Sequence, residues 1–245
     1  MKKIILMGLL LMPTRYFYHG DGKLVIQGGD KKLAHLSGRL VALLDYLQDS
    51  LSGGKGSIKI ISGYRSPAHN ENLRKQGKLA GKASLHLEGM AADFSLAGVP
   101  SKKIWEMVRN LNCCGVGYYH GREVHLDTGP PRFWDETSSK VFTDIADNNK
   151  RIYLTTEYDI YQPGETMRLR FVRITQYPFG VLLDDSRDCR VVHNREEAAD
   201  FSLDLSKKKW ATDKKIQIKA RFCSKPSQEM PDTLLSNPFI IASPR

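Results

Sequence analysis

No apolar run in this chain approaches the roughly 20 residues that a helix needs to cross a bilayer, so no transmembrane span is expected. The longest, Ile4–Met12, follows Lys2 and Lys3 and has the length of a signal-peptide apolar region. A small-x-small cleavage site is missing after it, Met12-Pro13-Thr14 being a poor substitute, and no nearby cysteine can accept a lipid. Residues 1–14 are read as an atypical export signal, with a buried first strand as the alternative. Acidic residues are also short, 27 Asp and Glu against 37 Lys and Arg, for a net charge of +10. That excess suits nucleic acid, anionic lipid or an anionic cell-wall polymer, or serves solubility alone. With no RNA-binding signature or zinc-finger spacing, a nucleic-acid partner is not expected.

Cysteine is scarce too. None of the four has the C-x-x-C spacing of a thiolate zinc site. Adjacent Cys113 and Cys114 are expected to stay unbridged as small buried hydrophobes, because vicinal disulfides are strained. Cys189 and Cys223 can pair if the protein reaches an oxidising compartment. There is no internal repeat and no low-complexity tract. The hydrophobic content of 41% is that of a soluble globular protein, and 245 residues suit one large domain or two ordinary ones.

The pattern along the chain favours two. Leu33, Leu36, Leu40, Leu43, Leu44 and Leu47 recur at helical spacing and predict an amphipathic helix over about 31–50. Ile58–Ile61 is strand-like, and Pro67 can open a helix running to about residue 76. Ser101–Leu111 predicts another amphipathic helix with Ser101 as its N-cap. Gly115–Tyr119 and Glu123–Asp127 read as strands joined by a turn at His120-Gly121. Residues 135–150 are polar and charged and suit a linker or short helix. From Arg151 onward, period-two runs with turn signals and no convincing amphipathic helix predict a small all-β sandwich. The expected layout is an α+β domain over 15–145 and the sandwich over 150–245.

Chemistry concentrates in the first of these. Ser84–Phe94 reads SLHLEGMAADF, and a second histidine, His125, follows in EVHLD. His86, Asp93 and His125 form the ligand set of a zinc site with one open position, where water becomes a nucleophile at neutral pH. Gly89 argues against one helix carrying both His86 and Asp93, and AADFSL reads as a strand. On a strand through His125, alternation would put Glu123, His125 and Asp127 on one face, so either acid could be a general base or could orient a ligand. His19, His35, His69 and His193 are read as surface or core histidines, and His120 and Glu88 as bystanders. Trp105 is assigned to helix core and Trp134 to a cleft rim.

From Ser62 to Trp134, the segments SGYRSPAHN, SLHLEGMAADF and GVGYYHGREVHLDTGPPRFW resemble, in order and spacing, the zinc-dependent D-Ala-D-Ala carboxypeptidase and murein endopeptidase superfamily. The nearest likeness is to its exported, cell-wall-directed endopeptidases. The resemblance implies a hedgehog-like peptidase fold, with His86, Asp93 and His125 as the zinc ligands. It implies that Arg65 contacts the substrate carbonyl and stabilises the developing oxyanion. Tyr64 and Ser84 fall at pocket positions, or are packing and turn residues. Asp127 matches the close branch as base or orienting carboxylate, whereas Glu123 departs from that branch and matches the wider superfamily. The resemblance also implies a metallopeptidase that cuts peptide stems or cross-links of peptidoglycan in the periplasm or cell envelope. A carboxypeptidase or dipeptidase, and a non-catalytic zinc-stabilised wall-binding module, are the alternatives; the short loops favour an open cleft and a cross-linked substrate. The C-terminal sandwich resembles immunoglobulin-like modules only loosely.

Overall fold

The computed structural model describes residues 15–137 apart from 79, 82 and 122, and residues 152–243 apart from 175, 185, 208 and 226–230. The export-signal reading of 1–14 and most of the linker reading lie outside these residues. The chain divides into two units, Met1–Ala146 and Asp147–Arg245. The first is mixed α/β and the second is β-rich.

The first unit holds helices α1 (Gly38–Ser52), α2 (Pro67–Lys75) and α3 (Ser101–Leu111). Its strands are β1 (Ile58–Ser62), β2 (Ala91–Leu96), β3 (Gly115–Tyr118), β4 (Val124–Asp127) and β5 (Arg132–Asp135). They form one sheet in the order β1-β2-β4-β3-β5, antiparallel except for the parallel β3–β5 pair. Strand alternation gives the sheet two different faces. Ile58, Ile60, Phe94, Leu96, Val116, Val124 and Leu126 point to one, where Leu40, Leu43, Leu44 and Leu47 of α1 and Ile104 and Val108 of α3 complete the core. Asp93, His125, Asp127, Arg132 and Trp134 belong to the other.

Three local expectations change. The first helix begins at Gly38, after a 3-10 turn over Asp30–Leu33; His35 has a left-handed φ of 65°, and the Ser37 hydroxyl caps the new start by accepting from the Leu40 amide. Leu33 and Leu36 therefore lie outside that helix. Ser101 is the first residue of α3 and not its cap, because Pro100 occupies the N-cap position. Cys113 and Cys114 are bonded to each other rather than unbridged. Asn112 ends α3 with a left-handed φ of 49°, and the tight reversal that follows brings the two sulfurs together.

The second unit contains β6 (Tyr153–Thr156), β7 (Ile160–Tyr161), β8 (Thr166–Val172), β9 (Phe179–Leu183), β10 (Arg190–Val192), β11 (Phe201–Asp204), β12 (Lys219–Ser224), β13 (Thr233–Leu235) and β14 (Ile240–Ile241). They form sheets β10-β9-β12-β13, β11-β8-β6 and β14-β7 around a core that includes Leu169, Phe171, Phe179, Phe222 and Phe239. One short helix, α4 (Arg195–Ala199), interrupts the β pattern; it is capped by Asn194, whose side chain accepts from the Glu197 amide. Cys189 and Cys223 are paired.

Candidate metal centre

Sheet register assembles the site. Asp93 on β2 lies directly opposite His125 on β4, and Ala91 lies opposite Asp127. On the far side of β4, Gly117 faces His125 and Gly115 faces Asp127. These two glycines leave room that side chains would fill. A Cβ on Gly115 would come within 2.4 Å of the Asp127 carboxylate, and one on Gly117 within 2.4 Å of the Trp134 ring. His86 arrives from outside the sheet on a 3-10 turn, Leu85–Glu88, whose amide at His86 is capped by the Ser84 hydroxyl. Gly89 ends that turn at φ 65°, where a Cβ would collide with the His35 carbonyl, so this corner needs glycine twice over.

His86, Asp93 and His125 are buried, and one ligand atom from each lies within 4.8 Å of the others. Second partners select which atoms converge. The Nδ1–H of His86 donates to the Gly63 carbonyl at 2.7 Å, leaving the Nε2 lone pair facing Asp93 Oδ1 at 3.4 Å. His125 places Nδ1 2.9 Å from Asp93 Oδ1, while Nε2–H on the opposite ring edge donates to Asp127 Oδ2 at 2.9 Å. Arg65 fixes the other Asp93 oxygen, Nη2 to Oδ2 at 2.7 Å, and its Nε donates to the Ser62 hydroxyl. Two imidazole nitrogens and one carboxylate oxygen converge, each oriented by another group. A zinc ion fits this borderline N/O donor set, with tautomers set as in carboxylate–histidine–metal triads.

The electrostatics set a charged Asp93 beside a neutral His86. Burial pushes the Asp93 carboxyl up, but the facing nitrogens of His125 and His86 outweigh it and hold the group well below the usual carboxylate range. Burial lowers the His86 pKa, favouring the neutral ring that a metal requires. Burial opposes charge on His125 as well, yet the carboxylates of Asp127 and Asp93 on either side of the ring raise its pKa, so a metal at Nδ1 would bind in competition with a proton.

The two candidate bases occupy different environments. Asp127 is fully buried behind His125, on the ring edge away from Asp93. Its Oδ1 accepts from the Gly129 amide and Arg132 Nη1, and its Oδ2 accepts from His125 and from Arg132 Nη2 at 2.6 Å. With both oxygens engaged, Asp127 is built to orient His125. β4 starts at Val124, so Glu123 precedes the strand and is only partly buried. Among the described residues it makes no hydrogen bond or ion pair with the ligands. It is nonetheless close enough to act electrostatically on the partly buried Tyr119 phenol, which Asp93 and Arg65 also influence.

Of the remaining candidates, Ser84 caps the His86 turn, and Tyr64 is exposed with its ring 5.2 Å from that of His35. Trp134 is partly buried, 5.0 Å from the His125 ring. Arg132 had no role in the sequence reading. Its signal was available, since a cation five residues after Asp127 in DTGPPR can fold back on that carboxylate, but only the β3–β5 pairing reveals that it does. Its guanidinium also lies 5.3 Å from the Trp134 ring centre.

A buried His₂Asp cluster, with its tautomers fixed from behind, is a site able to hold a divalent metal ion. Residues 25–134 match the family model described as Peptidoglycan L,D-endopeptidase MepK. The chain is 40% identical over 89 residues to a probable peptidoglycan L,D-endopeptidase MepK of Haemophilus influenzae, covering 36% of this chain and 48% of that protein. It is 38% identical over 90 residues to the peptidoglycan L,D-endopeptidase MepK of Escherichia coli, covering 36% of this chain and 50% of that protein. Residues 25–134 are thus similar to this peptidase family, and the matched part spans about half the length of each relative. No solved structure matches the chain.

Proposed function

We propose that the first unit is a zinc peptidase that hydrolyses an L,D-peptide link in the stems or cross-links of peptidoglycan. The observation that carries this reading is the convergence of His86 Nε2, Asp93 Oδ1 and His125 Nδ1, with each imidazole's second nitrogen engaged elsewhere. A zinc ion held there supplies Lewis acidity that activates water and polarises the scissile carbonyl. Asp127, clamped by Arg132, keeps Nε2 of His125 protonated and Nδ1 available. Arg65 holds Asp93 in its ligating orientation, and its charge lies beside the place where an oxyanion develops. Glu123 is the general base, accepting a proton from the attacking water and returning it to the leaving amine. Trp134 walls the site beside His125, and Tyr64 offers an exposed aromatic surface to substrate.

The finer assignments follow the same reading. The first unit adopts the hedgehog and D-Ala-D-Ala peptidase fold, and the second is an immunoglobulin-like sandwich. The Cys113–Cys114 and Cys189–Cys223 disulfides suit an oxidising compartment, and the net charge of +10 suits an anionic polymer. We therefore assign the protein to the periplasm or cell envelope. Among the described residues no helix is long and apolar enough to cross a membrane.

Incubating the protein with intact muropeptides, with and without a chelator, and resolving products by mass tests this function. Loss of cross-linked dimers only in the chelator-free sample is the expected result. Release of terminal alanine alone would replace the endopeptidase with a carboxypeptidase, and binding without products would leave a wall-binding module. For the base, Glu123→Gln is expected to lower kcat by about 10²–10⁴-fold with zinc content unchanged. Full turnover by that variant would move the base elsewhere.

A further inference from the structure

The proposed reaction gives no task to Tyr119, although its place in the sheet carries it to the metal centre. Strand β3 ends at Tyr118, which lies opposite Val124 and turns its ring toward α3, 5.7 Å from that of Trp105. Alternation sends the residues on either side of Tyr118 to the other face. One is Gly117, which faces His125 across the ladder and whose missing Cβ leaves space for the Trp134 ring. The other is Tyr119, and one further step of the same register puts it opposite Glu123. The chain then reverses, at His120 with φ 47° and Gly121 with φ 88°. On the other side of β3, the Glu136 amide donates to the Tyr118 carbonyl at 3.1 Å and brings the end of β5 alongside.

The charges around the phenol locate it further. Besides Glu123 and Glu136, its neighbours in the ladder, Asp93 and Arg65 act on it. Asp93 belongs to β2, and β4 lies between β2 and β3. The phenol therefore leans over β4 on the face where His86, Asp93 and His125 converge, and Arg65, ion-paired with Asp93, approaches it from the β2 side. Burial chiefly, with the carboxylates of Asp93, Glu123 and Glu136, raises its pKa against the Arg65 charge. The hydroxyl is thus a hydrogen-bond donor near neutrality and not a base.

We propose that Tyr119 is a catalytic residue whose hydroxyl donates a hydrogen bond to the scissile carbonyl oxygen as that oxygen becomes an anion. The assignment rests on the zinc-peptidase reading above. When water attacks, a C–O bond forms, the carbonyl π pair moves onto oxygen, and Glu123 takes the water proton. The phenol keeps its own proton and tightens its bond to the new anion. When the C–N bond breaks, the electron pair returns to the carbonyl and the proton on Glu123 passes to the leaving amine. A neutral O–H binds a ground-state carbonyl weakly and an oxyanion strongly, so its contribution falls on the transition state. A substrate carboxylate is a poorer partner, because Glu123 and Glu136 flank the phenol and repel it. A carbonyl arrives neutral and gains its charge only beside Arg65.

Tyr119→Phe keeps the ring and removes only the hydroxyl. Zinc-loaded parent and variant are compared for muropeptide turnover, zinc content, thermal midpoint, and affinity for a phosphinate isostere of the cleaved link, whose tetrahedral oxygens imitate the oxyanion. The variant is expected to lose about 10²-fold in kcat with KM within about twofold, and to lose phosphinate affinity by the same factor. Zinc content and midpoint should be unchanged. A rise in KM alone overturns the assignment, and so does a loss of turnover matched by loss of zinc, which would make Tyr119 a positioning residue. An inactive zinc-loaded parent overturns the zinc-peptidase reading and this assignment together. An active parent whose variant keeps kcat and phosphinate affinity within about threefold overturns this assignment alone.

Discussion

Replacing Asp93 by alanine is expected to remove zinc and reduce muropeptide hydrolysis by at least about 10³-fold, a loss of roughly 4 kcal/mol of transition-state stabilisation. Asp93 is the only anion among the three ligands, and its two oxygens do separate work. Oδ1 sits between His86 and His125, and Oδ2 takes the Arg65 guanidinium at 2.7 Å. The alanine variant therefore loses a ligand and also leaves Arg65, whose side chain is 11% exposed, without its ion-pair partner. Stranding one member of a buried pair costs about 3–5 kcal/mol, reduced here by the residual exposure to about 2 kcal/mol. Metal content by elemental analysis, turnover by product mass and denaturant unfolding report the three effects separately. Retention of stoichiometric zinc and turnover would refute the ligand assignment, whereas lost stability alone would leave Asp93 a merely structural anchor.

Arg132→Met is expected to weaken zinc binding about 10–100-fold although Arg132 touches no ligand atom. Its two bonds to Asp127, at 3.0 and 2.6 Å, hold the carboxylate that in turn holds His125. Methionine preserves much of the side-chain volume beside Trp134 while removing the charge. Asp127 is fully buried, so losing its cation should cost about 2–3 kcal/mol of stability after allowance for the partial exposure of Arg132.

The pH dependence has a definite sign. Burial raises the Asp127 pKa, but Arg132 and the His125 hydrogen bond overcome it and depress the group well below 3.8. A depressed carboxylate contributes stability that is present above its unfolded pKa and lost as pH falls through its folded one. Without Arg132 the depression shrinks, so the parent–variant difference is largest near neutrality and narrows in acid. Equal zinc affinity in parent and variant would show that the clamp contributes packing alone.

Much of this centre was legible in residue order. SLHLEGMAADF and VHLD contain all three ligands, and alternation around His125 indicated that Asp127 shares its face. Gly89 correctly argued for a turn between His86 and Asp93. The two acids flanking His125 could not be separated in that way, because period two treats positions 123 and 127 alike. Strand β4 starts only at Val124, and Arg132 engages only Asp127. The adjacent cysteines were misread for a related reason: whether they bridge depends on the reversal after Asn112, which a general penalty for vicinal bonds does not encode. Asp45 was hidden among the leucines of an amphipathic helix, since helical periodicity reports a face and says nothing of a loop folded across it.

The sequence by itself determined the donor types, the alternating strands, the apolar helix faces and the peptidase resemblance, because these depend on residue identity and short-range period. Only tertiary structure decided which lone pairs converge, that Asp127 stands behind His125, that Gly115 and Gly117 make space for Asp127 and Trp134, and that Asp45 is buried beneath the loop before α1. Those properties arise where segments distant in sequence meet. Directional hydrogen bonds and close packing act over a few ångströms of space, whatever the separation along the chain.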